Sequence, residues 1–230
     1  MTIIRIMIID NQKYPYPPRL RHHTNPACYI PASELTELPE NYPPTIEALS
    51  PETLFINGKS PNILDVGCGK AGFLLDYAEI HTDDNILGIE VREGIAKWAA
   101  NVIKCENIPN AAVLWYSVIN GLHFLKKDSF DRIFYLFPDP WTKRKQIKRR
   151  AFIPETLDMY YNLLKIGGKL YLATDVDEVH EYHVKVLEKY GKFKINIVQN
   201  DDEWQLPITN KEKFCRREMI LFSRIIAEKI

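Results

Sequence analysis

The sequence predicts a doubly wound α/β fold: a mainly parallel sheet of seven strands with an antiparallel strand at its C-terminal end. Three observations lead there. From Pro61 onward, apolar runs of strand length alternate with helical periodicities. The first run opens directly into a glycine-rich turn, the junction such folds use before their first helix. The last two runs follow one another with no helical pattern between them, which reads as an antiparallel addition.

Residues 1–60 stand apart. Nine of the fifteen prolines lie between Pro15 and Pro51, the first glycine is Gly58, and no Lys or Arg occurs from His22 to Gly58. This segment reads as a Pro-rich arm and entry segment, with residues 61–230 as the folded domain. A strand over 62–66 leads into a helix over 71–80, which carries Phe73, Leu74, Tyr77 and Ala78 on one face. Then come a strand over 86–91 and a helix over 93–104 with Ile95, Trp98, Ala99, Val102 and Ile103 apolar. Strands follow over 111–116, 130–137 and 169–174, with helices over 119–125, 154–165 and 177–190. Gly167 and Gly168 read as a helix stop, because glycine adopts the left-handed cap without strain. Strands over 193–198 and 218–226 end the chain. The order is that of a Rossmann-like sheet.

Composition excludes several classes. At 230 residues and 26.8 kDa, with 46% hydrophobic and 26% charged residues, the chain has an ordinary globular make-up and enough core to fold without staples. Cys28, Cys68, Cys105 and Cys215 form no C-x-x-C pair, which argues against a zinc ribbon or a redox dithiol and for a reducing cytoplasm. The longest apolar run, near Ile3 to Ile9, is interrupted by Arg5 and too short for a bilayer. Neither a signal peptide nor membrane association is expected. Lys+Arg and Asp+Glu tie at 30 each, so net charge by itself points to no partner.

The turn Gly67-Cys68-Gly69-Lys70-Ala71-Gly72 carries the first chemistry. Glycines let a ligand approach the backbone where a Cβ would clash, and the following helix start offers free N–H donors. Glu90 ends the next strand, where a carboxylate can bind ribose hydroxyls. NAD and S-adenosylmethionine both fit such a turn. Asp65 favours the second, because an acid just before the glycines suits an amino-acid end or a sulfonium and repels a pyrophosphate. The antiparallel ending of the sheet favours it too. A loop or helix-capping acid is the plainer reading of Asp65.

The stretch Phe137-Pro138-Asp139-Pro140-Trp141 is followed by a run in which six of the eight residues from Lys143 to Arg150 are basic. Most charge runs are solvated faces. This one follows a central strand at the end where open α/β sheets place ligands, so Lys143, Arg144, Lys148 and Arg149 are candidate contacts to nucleic-acid phosphates. Asp139, held between two prolines, is a preorganised acid or simply the acid of a Pro-rich turn. Trp141 stacks on a base or packs the loop onto the sheet. Arg19, Arg21, His22 and His23 in the arm form a smaller basic cluster that reads as a solvated tail. His180 and His183 share a helix face, but no full ligand set accompanies them; a solvated face is the better reading and no metal is expected.

Three function classes meet these residues. A nicotinamide-dependent oxidoreductase would leave the basic run unexplained. A non-catalytic RNA-binding subunit would be expected to lack the glycine turn, Glu90 and Asp139. An RNA methyltransferase uses them all.

Taken together, Leu64-Asp65-Val66-Gly67-Cys68-Gly69, Gly88-Ile89-Glu90-Val91-Arg92, the Pro138-Asp139-Pro140-Trp141 block with its Lys143…Lys148-Arg149-Arg150 continuation, and Ala173-Thr174-Asp175 closely resemble the tRNA (guanine-N(7)-)-methyltransferase family. The proline–aspartate–proline–tryptophan block with its basic sequel is highly specific; the other motifs are general methyltransferase features. The resemblance covers residues 62–217, with a weaker match in the arm over 19–26. It implies S-adenosylmethionine as cofactor and methylation of a guanine in the tRNA variable loop, usually position 46. By match to the family's positions, Asp65, Gly67, Gly69, Glu90 and Arg92 would bind cofactor, Asp139 would be the catalytic acid, and Lys143 and Asp175 would contact tRNA. Ser117 stands where the family usually has an Asn or Asp that touches adenine. Thr209, Lys213 and Arg217 lie in a C-terminal motif whose spacing is altered here, and are the weaker substrate assignments. The sequence fits a monomer or a homodimer and leaves a protein partner open.

The chemistry suits the residues. Guanine N(7) has a lone pair and no proton, so its attack on a sulfonium methyl requires no strong base. Asp139 would orient the base and stabilise the cationic purine. A guanine within folded tRNA must first be exposed.

Overall fold

A computed structural model of the chain describes residues 9–10, 12–17 and 25–230, apart from the side chains of residues 144, 145 and 148. The cluster of Arg19, Arg21, His22 and His23 falls outside the described residues, as do the side chains of Arg144 and Lys148.

Seven strands form one sheet. They are β1 (Ile63–Val66), β2 (Ile86–Glu90), β3 (Ala111–Trp115), β4 (Phe130–Leu136), β5 (Leu164–Thr174), β6 (Phe193–Ile197) and β7 (Ser223–Lys229), ordered β3-β2-β1-β4-β5-β7-β6. The first five pair in parallel, and β7 runs antiparallel to both β5 and β6. The expected Rossmann-like sheet is therefore present, with β7 inserted between β5 and β6.

Burial on both faces explains the apolar strands. In β1 all four residues are buried, and alternate ones face opposite layers, with Ile63 on one side and Leu64 and Val66 on the other. Helices α1 (Gly72–Ile80) and α2 (Glu93–Cys105) cover the first face through Phe73, Leu74, Tyr77, Trp98 and Val102. Helices α3 (Pro154–Leu163) and α4 (Asp177–Tyr190) cover the second through Leu157, Tyr160, Leu163 and Leu187. Gly88 allows the close fit of α1 onto β2: a Cβ there would come within 2.5 Å of Leu74 Cδ1 and 2.7 Å of Cys68 Sγ.

Four local expectations are corrected. Residues 119–125 make no α-helix, only a single 3₁₀ turn at Val118–Asn120, because Gly121 at φ 94° breaks the pattern. The helix over 154–165 stops at Leu163, and Gly167 and Gly168 lie inside β5 instead of capping it. Gly168 has a packing reason, since a Cβ would meet Lys165 O at 2.9 Å and Phe130 O at 3.0 Å. The last strand is displaced from 218–226 to Ser223–Lys229. The stretch before it holds two short helices, α5 (Asp201–Trp204) and α6 (Asn210–Arg217). Asn200 and Thr209 start them by accepting hydrogen bonds from Glu203 N–H and Glu212 N–H. Their polar faces concealed them from a periodicity argument.

Candidate active site

The parallel order reverses between β1 and β4, and the crevice at such a switch point is where open α/β sheets bind ligands. A cleft lies there, at the carboxyl ends of β1, β2 and β4. Gly67, Glu90, Arg92, Ser117, Asp139 and Arg149 all line it, with Tyr29, Ile89, Val118 and Trp141. Seven residues singled out in the sequence, Trp141 among them, are thus brought to one cleft from four separate segments.

The turn after β1 is built by left-handed residues: Gly67 at φ 78°, Gly69 at φ 54° and Ala71 at φ 57°. Gly67 is exposed with open space where a Cβ would stand, so a ligand can lie directly on its backbone. Glu90 is buried at the tip of β2. Its Oε2 accepts the Gly69 N–H at 2.9 Å, and its Oε1 accepts the Arg92 N–H at 2.9 Å and Arg92 Nε at 2.8 Å. Glu90 thereby ties the glycine turn to the start of α2. Gly69 acts through that N–H and does not line the cleft.

Asp65 sits beneath the cleft in β1, buried. Burial raises its carboxyl from the ordinary value to about 7, with Glu90 adding to the rise. Two carboxylates thus lie together at this end of the site. Lys70, in the glycine turn, lies over the Tyr16 ring at 3.9 Å, and Arg92 is engaged by Glu90. A cationic ligand fits such surroundings and a pyrophosphate does not. Cys68 is half-buried against the turn with its thiol held well above the usual range, chiefly by desolvation, so it is a packed residue and no nucleophile.

The arm closes the β3 side. Ser117 Oγ donates to Cys28 O at 2.9 Å, so its hydroxyl is occupied by the arm. Asn120 Oδ1 accepts the Ala32 N–H and the Tyr42 hydroxyl, both at 2.9 Å. These contacts seat Tyr29 in the cleft, its ring edge-on to Trp141 at 5.3 Å and its hydroxyl 3.4 Å from Asp139 Oδ2. Burial, with help from Asp139 and Glu90, pushes the Tyr29 phenol up, so it remains a donor. Tyr29 is a site residue that the sequence alone did not mark. No periodicity singles it out, and it lies three residues beyond the part of the arm, 19–26, that matches the family.

Asp139 lies three residues past β4, exposed, at the rim of the cleft. The loop is bounded by Phe137 at φ 51° and Trp141 at φ 39°, left-handed positions that non-glycine residues rarely take. Past it, a 3₁₀ turn over Arg144–Arg149 carries the basic run. Lys143 is exposed at its start, and Arg149 lies over the Trp141 ring at 5.2 Å while lining the cleft. Arg150 differs from its neighbours: it is buried and bonds to the carbonyls of Pro140 and Trp141.

The C-terminal candidates do not line the cleft. Asp175, just past β5, pairs with Lys211 at 2.7 Å. Thr209 caps α6, Arg217 pairs with Glu218 at 2.7 Å, and Lys213 is exposed. The buried group in this motif is Glu212, which no sequence signal distinguished; Arg224 lies 2.7 Å from it and Arg216 2.8 Å. His183 also corrects an expectation. It is buried among Tyr135, Phe152 and Tyr182 rather than solvated, and burial lowers its imidazole to about 3.

The model of a family described as putative methyltransferases matches residues 59–219. Several curated proteins named tRNA (guanine-N(7)-)-methyltransferase are similar over most of the chain. That of Prochlorococcus marinus strain MIT 9313 is 31% identical over 205 residues, 85% of this chain and 81% of its own. That of Anopheles gambiae is 30% identical, covering 76% of this chain and 75% of its own. Among solved structures, a precorrin-6y C5,15-methyltransferase from Geobacter metallireducens superposes with a TM-score of 0.52 at 17% identity, covering 73% of this chain and 79% of its own. A SAM-dependent O-methyltransferase from Thermotoga maritima gives 0.51 at 19% identity, covering 73% and 58%. At these identities the structural matches speak for the fold.

Proposed function

The chain belongs to the tRNA (guanine-N(7)-)-methyltransferase family, and from that membership we propose that it methylates N(7) of a guanine in the tRNA variable loop, usually position 46, with Asp139 as the residue on which the chemistry turns. The observation that carries this reading is the convergence of Asp139, Glu90, Gly67 and Arg149 on one cleft at the switch point of the sheet.

S-adenosylmethionine is the methyl donor and supplies an electrophilic sulfonium methyl. The residues present fit it: the open backbone at Gly67, the carboxylate of Glu90, and the buried acid Asp65 below. Glu90 would hold the ribose hydroxyls, Gly67, Gly69 and Asp65 the amino-acid end, and Ser117 and Arg92 the flanks. Bound there, the donor would offer its methyl group to the N(7) lone pair of the guanine, with sulfur keeping the electron pair of the bond that opens. No proton moves in that step, so a strong base is unnecessary. Asp139 at the rim orients the incoming purine and stabilises its positive charge. Arg149 and Lys143, with Arg144 and Lys148, would position the tRNA by its phosphates, and Asp175, Thr209, Lys213 and Arg217 would border the substrate from the other side. The arm and the domain over 61–230 act as one site through Tyr29.

The test is incubation with total tRNA and radiolabelled S-adenosylmethionine, followed by nucleoside analysis, for the parent and for Asp139→Asn. The parent should yield 7-methylguanosine. The variant keeps shape and hydrogen bonding but loses charge, and should turn over about 10²–10³-fold more slowly with tRNA affinity kept. A parent-like rate would remove charge stabilisation from the mechanism, and absence of 7-methylguanosine from the parent would refute the assignment.

A further inference from the structure

We propose that Arg150 is the positioning residue that holds Asp139 in place for methyl transfer, and that it does not bind tRNA although it ends the basic run. The proposal rests on the reading of Asp139 given above.

The loop from Phe137 to Trp141 has to be held. Both its ends adopt left-handed backbone, at φ 51° and φ 39°. Such strain persists only where the surroundings over-determine it. The prolines on either side of Asp139 stiffen the loop but contribute no N–H. Among the described residues its backbone N–H groups tie it only at the start, where the Phe137 N–H donates to Ala173 O at 2.7 Å. Arg150 supplies the fastening from outside. Its Nε donates to Pro140 O at 3.0 Å and its Nη2 to Trp141 O at 3.3 Å, the two carbonyls immediately after Asp139. The same Nη2 lies 3.5 Å from Glu178 Oε1 on α4. The guanidinium also stacks on the Tyr182 ring of α4 at 4.6 Å. A fork of donors on a planar cation suits this double carbonyl contact, and an ammonium cannot reproduce it.

Burial separates Arg150 from the residues around it. Its side chain is 2% exposed, whereas Lys143 is exposed and Arg149 opens on the cleft. A phosphate cannot reach a guanidinium enclosed by two carbonyls, a carboxylate and an aromatic face. Sequence proximity places Arg150 with the tRNA contacts, and the fold places it with the catalytic loop.

The experiment uses the full chain, a tRNA substrate and S-adenosylmethionine, with Arg150→Lys, Asp139→Asn and the double variant. Single-turnover rates at saturating tRNA are measured alongside tRNA affinity across a salt series. Arg150→Lys should slow the chemical step by about tenfold or more, since a misplaced group costs rate rather than binding. Its tRNA affinity and salt slope should stay at the parent values. In the Asp139→Asn background the same change should add less than about threefold, because residues acting as a unit are non-additive. A salt slope flattened by about 0.9 would make Arg150 a phosphate contact and overturn the proposal. Fully additive rate losses, with Asp139→Asn itself impaired, would also overturn it while leaving Asp139 in its role. A parent-like Asp139→Asn rate would overturn the reading of Asp139 and this proposal with it. Tyr182→Leu, which removes the ring beneath the guanidinium together with its contact to His183 but keeps an apolar side chain against the core, repeats the comparison if Arg150→Lys fails to bind cofactor; it too should lower the rate at unchanged tRNA affinity, and an unchanged rate counts against the proposal.

Discussion

Asp65 shows how one residue links stability to the site. Its carboxyl is raised to about 7 by burial first and by Glu90 second. Between its ordinary value near 4 and that raised value, the folded chain holds a proton the unfolded chain releases. This contribution is therefore complete below about pH 4 and is lost as pH rises through about 7. Asp65→Asn should be more stable than the parent at pH 8, by up to about 4 kcal/mol, with the advantage vanishing toward pH 4. Thermal unfolding of both proteins from pH 4 to 8 measures it, and curves that run parallel would show that Asp65 does not titrate in this range. Glu90 acts in the same place with a different outcome. Glu90→Ala removes the acceptor for the Gly69 N–H and for three Arg92 donors, besides the expected ribose ligand. Calorimetry should show S-adenosylmethionine binding weakened by about 1.5–3 kcal/mol, as for hydrogen bonds to a charged group. Unchanged affinity in a folded variant would take Glu90 out of the site.

At the scale of elements, the segment after β4 performs two tasks in sequence. Its first five residues, 137–141, place Asp139, and the 3₁₀ turn Arg144–Arg149 brings Arg149 to the cleft. Lys143, the residue before that turn, is exposed. Neutralising Lys143, Arg144, Lys148 and Arg149 together should weaken tRNA binding and leave cofactor binding unchanged. Every phosphate left without its cationic partner should flatten the log–log salt dependence by about 0.9 for duplex, or about 0.7 for single strands. Filter binding across a salt series reads this directly, and an unaltered slope would identify the run as a solvated face.

Across the whole molecule, the arm and the sheet complete each other. Residues 25–42 bond among themselves mainly in short turns and reach the β3 side of the sheet through Ser117 and Asn120. Nearer the start, Tyr14 and Lys13 both bind Glu106 at the end of α2, at 2.6 and 2.7 Å. Asn120→Ala leaves the Ala32 N–H without its acceptor, a loss of about 1–3 kcal/mol, while the Tyr42 hydroxyl keeps Ile30 O at 2.7 Å. Limited proteolysis should then cut within 25–42 markedly faster than in the parent. An unchanged cutting rate would mean that Ser117 and the aromatic contacts of Tyr29 hold the arm without Asn120.

The alternation of strand and helix was legible because burial on both faces of a parallel sheet forces continuous apolar strands, and helices that cover them must be apolar on one stripe. For the same reason the glycine turn, Glu90 and the Asp139 block could be read in their proper places at strand ends. What failed to show were features without period: the capped helices α5 and α6, the single turn where residues 119–125 suggested a helix, and the two glycines that fall inside β5. The tertiary structure alone decided which charged residues share an environment. Lys143 and Arg150 look equivalent in a basic run, yet one faces solvent and the other is buried and bonded to the carbonyls of the Asp139 loop. Tyr29 and Asp139 are 110 positions apart and meet in one cleft. Local sequence specifies an element through backbone propensity and side-chain period. Which distant side chains meet, and which charges lose their water, is settled only when the sheet, its helices and the arm pack together.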